Sequence, residues 1–227
     1  MTVSAAIRRK SVSVGLIAVG ALAALLITLV PIGASAGESH HAHASATTVS
    51  KHAFHDAMRE LWEQHVAWTR MAITDFAAGS AGFNATAARL LQNQTDIGDA
   101  IKPFFGDKAG NKLTSLLHDH ITIAVELLKA AKDGDTTAFD DAKTRWYQNA
   151  NDVADFLSAA NPKNWARADM RQMMKVHLDQ TLAEASDELT GHYGKSVRKY
   201  DRIEHHMLMM ADELSAGIVA KFPNKFR

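Results

Sequence analysis

The chain has 227 residues, 47% of them hydrophobic and 22% charged, with 25 basic side chains against 25 acidic ones and no cysteine. This composition excludes collagen-like, low-complexity and generally disordered character, and the balanced charge leaves no footprint for nucleic acid. Without cysteine there can be no disulfides, thiolate nucleophiles, thiolate-bound zinc or iron–sulfur clusters.

Residues 1–36 carry the three regions of an export signal. Basic Arg8-Arg9-Lys10 precedes the apolar run Val12–Val30, and Ala34-Ser35-Ala36 supplies small residues for cleavage. The run of 19 residues is near the length that spans a bilayer, so the segment is either a cleaved leader or a retained N-terminal anchor. In both cases the basic residues stay cytoplasmic, and the remainder is expected to be periplasmic, secreted or on the cell surface. Cleavage after Ala36 leaves 191 residues with 22 basic against 25 acidic side chains, a net charge of −3 and one domain's length. Residues 37–50 are small and polar, a tether containing His40, His41 and His43, with His52 and His55 close behind. Such a tail is either a plain linker or a weak collector of zinc, copper or nickel.

From Lys51 onward apolar residues recur at intervals of three and four, which predicts amphipathic helices and no strands. The expected spans are about His52–Ala78, Asn84–Lys102 (stopped by Pro103), Asp107–Lys132, Thr136–Ala160, a helix restarting at Asn161-Pro162 and running to Thr190, and Lys195–Lys221. Connections this short favour antiparallel neighbours, so the fold class is an all-α bundle of six helices over residues 51–227. Leu91-Gln92-Asn93-Gln94-Thr95-Asp96-Ile97 is echoed by Tyr147-Gln148-Asn149-Ala150-Asn151-Asp152-Val153, and Leu116–Ile121 by Met173–Leu178. Helices 2–3 and 4–5 thus read as two copies of one hairpin flanked by helices 1 and 6.

One polar level interrupts the apolar stripes. His65, His120, His177 and His206 lie mid-helix, as do Asn93 and Asn149, and in an antiparallel bundle helix midpoints share a level. Unpartnered, each buried imidazole or amide costs roughly 1–3 kcal/mol, so the groups must bond to each other, to water or to a ligand. Imidazoles from facing helices suit a transition metal, with Asn93 and Asn149 orienting the rings from behind. Met174 and Met210, one turn from His177 and His206, are placed to fall on one side of the layer, and a thioether in a cysteine-free exported protein favours copper. The alternative is a self-satisfied hydrogen-bonded layer, with the methionines as core filler. Noncovalent haem needs only two facing histidines and an apolar slot, so it stays open. His118 and His205 are expected to face outward and His192 to sit in a turn. Glu126, Glu184, Asp201 and Glu204 read as solvated helix faces.

Catalytic signatures are missing from residues 51–227, which hold no Glu-x-x-His, no His-Glu-x-x-His, no Gly-x-Ser-x-Gly, no Gly-rich phosphate loop and no Cys-x-x-Cys-His. No nucleophile or acid–base pair emerges, so an enzyme is the least favoured class.

Several stretches resemble a family of exported bacterial all-helical proteins. They are Leu61-Trp62-Glu63-Gln64-His65 with Trp68-Thr69-Arg70, Arg89-Leu90-Leu91-Gln92-Asn93-Gln94 with Asp96-Ile97-Gly98, Asn161-Pro162-Lys163-Asn164-Trp165, and Met210-Ala211-Asp212-Glu213-Leu214 with Phe222-Pro223. The resemblance covers about Glu60–Phe226. His65, Asn93, His120, Asn149 and His177 match family positions, and family members place a histidine at the position of Glu204 or of His206. Some members carry glycosyltransferase or acetylglutamate kinase labels, but this chain lacks the α/β nucleotide-binding pattern such enzymes need.

The expectation is therefore an exported bundle that holds a transition metal, copper preferred, on His65, His120, His177 and His206 with Met174 and Met210, for storage, sensing or delivery. Its partner is then the metal ion, with no nucleic acid and no membrane contact beyond the N-terminal segment. The competing expectation is an interaction or structural module whose polar layer fixes helix register.

Overall fold

The computed structural model describes residues 48–227; the expected export signal and most of the His-containing segment lie outside them. Six helices follow one another: α1 Lys51–Ala78, α2 Phe83–Phe105, α3 Asp107–Asp133, α4 Thr136–Ala160, α5 Arg167–Leu189 and α6 Tyr193–Lys221, then a short 3₁₀ turn, Pro223–Lys225. Each packs on its chain neighbours and α6 returns to α1, so the bundle is a closed, all-antiparallel ring. Among the described residues no helix is long and apolar enough to cross a membrane.

Local chemistry sets the helix ends. Ser50 caps α1 and Asp135 caps α4 by accepting from Ala53 N and Ala138 N, so Asp135 rather than a threonine starts α4. α2 continues through Pro103 to Phe105, because a proline in the last turn sacrifices a single backbone bond. Asn161–Trp165 form a turn ahead of α5 rather than its first turn: Trp165 N and Asn164 N both bond Asn161 O. Gly79, Gly134 and Gly191 all adopt positive φ (66°, 71° and 75°) just past α1, α3 and α5, a conformation that glycine enters without a Cβ penalty.

These three glycines each fall 14 residues after a histidine: His65, His120 and His177. The echo between α2–α3 and α4–α5 thus extends to the flanking helices as three hairpins, α1–α2, α3–α4 and α5–α6. Equivalent positions agree throughout. Three residues before the histidines are Trp62, Leu117 and Met174, and seven before are Met58, Leu113 and Met170, all buried. Eight residues after them, Ile73, Leu128 and Ala185 form a cluster of their own. α1, α3 and α5 therefore run parallel around a pseudo-threefold axis, which puts their histidines on one level.

The two ends of the ring are closed differently. At the base, where α1 begins, Val49 bonds to Lys225 O and Arg227 N, pinning the start of the domain to its C-terminus. Phe54, Phe104 and Phe226 stack above this join with centroids 5.0–5.3 Å apart. Asn161 Nδ2 donates to Gly217 O at 2.9 Å, tying the α4–α5 turn to α6. α2 and α3 cross closely at Gly98 and Gly110, where a Cβ on either glycine would meet the other's carbonyl oxygen at 2.6–2.7 Å.

Candidate functional site

His65, His120 and His177 are only 3–4% exposed. The ring centroid of His177 lies 5.8 Å from that of His65 and 6.0 Å from that of His120. The second helix of each hairpin holds its ring from behind. Asn93 Nδ2 donates to Leu61 O, Asn149 Nδ2 to Leu116 O and His206 Nε2 to Met173 O, each at 3.0 Å. Every one of these carbonyls belongs to the residue four before the imidazole, so a single register rule places all three donors.

That anchorage decides the tautomer of His120. With Nδ2 spent on Leu116 O, Asn149 turns Oδ1 toward His120 and accepts from its Nδ1 at 2.9 Å, which leaves the Nε2 lone pair free. Around His65 an amide nitrogen rather than an oxygen faces Nδ1: Gln94 Nε2 lies 3.1 Å away, and Asn93 Oδ1 and Leu90 O compete for its two hydrogens. The third hairpin differs. His206 has no carbonyl oxygen to offer, and His177 Nδ1 is buried without a partner. His206 is half-buried and occupies the place of the asparagines; it backs the layer rather than joining it.

The layer is uncharged. Burial first, and then the neighbouring His120, push the His65 pKa down to about 3. Burial pushes His120 to about 4 against the opposing bond to Asn149. His177 is held well below the ordinary imidazole range by burial and by His65, His120 and His206. Three neutral imidazoles at neutral pH are the state that a metal needs, since a protonated ring cannot ligate.

Above the layer, toward the glycine turns, lies a cavity of about 50 Å³ lined by the three histidines, Thr69, Thr181 and otherwise apolar side chains. It shares Leu127, Leu128, Leu182 and Ala185 with a surface groove of about 700 Å³ between the α3–α4 hairpin and α5. Below the layer is an apolar void of only about 20 Å³. Met174 and Met210 both line it, on the base side of the rings and away from the larger cavity.

Among the described residues no group of three or more His, Asp or Glu side chains stands at ligating distance as drawn. His177 stands close to the spacing that a shared ion requires from each of the other two rings. Three imidazoles sharing one ion at about 2.0–2.1 Å per bond place their centroids roughly 5–5.5 Å apart.

The remaining motif residues build the frame. Arg89 spans Gln64 at 2.8 Å and the face of Trp68 at 5.4 Å. Asp212 takes both oxygens to Arg59, and its Oδ1 also lies 2.9 Å from His55 Nε2. Glu184 corrects the expectation of a solvated face: it is 2% exposed and paired with Arg70 at 2.7 Å, next to the Arg70–Glu188 pair at 3.2 Å. Burial raises its pKa and Arg70 opposes that rise. His205 and His192 are exposed as expected, whereas His118 Nε2 is turned back onto Leu91 O at 3.0 Å. Ala185 carries no signal along the chain by itself; the 14-residue histidine-to-glycine spacing aligns the three hairpins and sets it level with Ile73 and Leu128.

No family model, curated protein or solved structure matches this chain.

Proposed function

We propose that this is an exported metal-binding bundle that holds one late transition-metal ion on His65, His120 and His177, for storage, sensing or delivery. The observation that carries this reading is the threefold placement of three buried neutral imidazoles, two of them oriented from behind by amides, beside a cavity. A buried imidazole nitrogen without a partner, as at His177 Nδ1, is costly in a core unless something uses it. Asn149 does for His120 what a carboxylate or amide does for a ligating histidine elsewhere: it fixes the tautomer and aims the free nitrogen.

Binding would require the three rings to turn and close so that one nitrogen of each comes to about 2.0–2.1 Å from a common ion. Histidine ligands suit copper, zinc, nickel and cobalt; a thioether from Met174 or Met210, rising from the base side, would bias the site to Cu(I). A bare ion suits a cavity of about 50 Å³ better than the wide haem macrocycle does.

Titrating metal-free exported protein with Cu(I), Cu(II) and Zn(II), with elemental analysis after desalting, tests the reading. One retained equivalent is expected, with stabilisation of about 2.7 kcal/mol when free metal is 100-fold above Kd. The paired substitution His120→Leu and His177→Leu should abolish both. The competing reading, a layer that only fixes helix register, draws on the same Asn149–His120 and Gln94–His65 bonds. It would be favoured if no metal is retained and the paired variant keeps or gains stability.

A further inference from the structure

We infer that the cavity above the imidazole layer is the seat of a second, exchangeable ligand: an uncharged molecule of two to four heavy atoms that reaches the histidines from the groove between the α3–α4 hairpin and α5. The inference deepens the metal reading, because the small molecule would take the ion's remaining coordination position, but its seating does not depend on the metal.

Size comes first. One water needs roughly 10–15 Å³ of space measured this way, so a cavity of about 50 Å³ has room for three to five water-sized spheres. Polarity comes second. Apart from the histidines and the hydroxyls of Thr69 and Thr181, the lining is aliphatic or aromatic carbon, which offers a charged ligand no counter-ion. Thr69 Oγ1 is already spent on His65 O, whereas Thr181 Oγ1 and His177 Nδ1 are buried without partners.

The route comes third: cavity and groove share a wall of Leu127, Leu128, Leu182 and Ala185. In the cluster eight residues past the histidines, two hairpins supply Ile73 and Leu128 while the third supplies Ala185. Ala185 is thus the shortest side chain in the wall that cavity and groove share. A branched aliphatic at that position would repeat what the other two hairpins already carry, so filling it should leave the fold intact.

Two probes test this on the full mature protein. Xenon, followed by ¹²⁹Xe chemical shift, reports on the cavity without metal; carbon monoxide on the Cu(I)-loaded protein, followed by its infrared stretch, reports on the open coordination position. Wild type should bind both, and Ala185→Leu should weaken each at least tenfold while retaining the same metal equivalent. Leu182→Ala, which thins that wall, should speed carbon monoxide exchange with no change in metal content. The inference is overturned if wild type binds no xenon, if the loaded protein gives no carbonyl band, or if Ala185→Leu binds both probes as wild type does. Failure to retain copper with xenon still bound would instead refute the metal reading and leave the cavity standing.

Discussion

Toward the start of α1, six aromatic side chains (Phe54, Phe104, Phe105, Trp165, Phe222 and Phe226) interlock with centroids 5.0–5.9 Å apart, and the void in this half, lined by Trp165 and mostly aliphatic neighbours, is only about 20 Å³. Toward its end, the corresponding closure is Ile73, Leu128 and Ala185, with a cavity of about 50 Å³ and a groove of about 700 Å³ around it. Both halves belong to the same three hairpins, and the imidazole layer divides them. The contrast shows where such a fold spends its packing. Aromatic stacking and the Val49–Phe226 join fix the ring at one end, which lets the other end remain underfilled without loss of register.

The largest effect should come from the dividing layer itself. In the folded metal-free protein His65 and His120 titrate near 3 and 4, and His177 far below its ordinary value, whereas the unfolded chain protonates near pH 6.5. Below pH 6.5 the unfolded state therefore binds more protons, and stability falls as the pH drops toward 4. With three such groups the slope reaches up to about 4 kcal/mol per pH unit. Urea midpoints between pH 7 and 4.5 measure it, and a flat profile across that range would mean that the layer is not held neutral.

Next in size is the difference between the halves. Phe54→Ala should cost about 3–5 kcal/mol, since it removes a buried ring that touches two others. Leu128→Ala should cost about 2 kcal/mol, the low end for leucine, because its surroundings are already loosely packed. Equal losses in chemical denaturation would erase the distinction between a tight base and an open end. Native-state hydrogen exchange sharpens the same point: amides of Phe54–Trp62 should open only with global unfolding, those of Leu127–Ala131 earlier.

The smallest effect concerns the backing of one ring. Asn149→Leu strips His120 Nδ1 of its acceptor and should cost about 1–3 kcal/mol. Asn93→Leu should cost less, because Gln94 still reaches His65 Nδ1 at 3.1 Å. Thermal melts of the two variants side by side check the order, and its reversal would show that Gln94 does not share the task.

Much of the architecture was legible in the chain because it rests on local physics. Apolar spacing of three and four sets the helices, Gly79 and Gly134 end α1 and α3, and short connections make neighbours antiparallel. The mid-helix position of His65, His120 and His177 on apolar stripes likewise foretold one level, since helices of similar length in an up-and-down ring share their midpoints. Which nitrogen faces which partner was not legible. His206 and Asn149 look unlike one another in sequence, yet both donate to a carbonyl four residues before a histidine. Glu184 reads as a surface carboxylate until α1 brings Arg70 against it from 114 residues away. Ala185 reads as an ordinary helix former; only beside Ile73 and Leu128 does it stand out as the short member of a cluster. Periodicity and capping act within a few residues and can be read along the chain, whereas ring orientation, ion pairing and empty space depend on groups that meet only when the ring of helices closes.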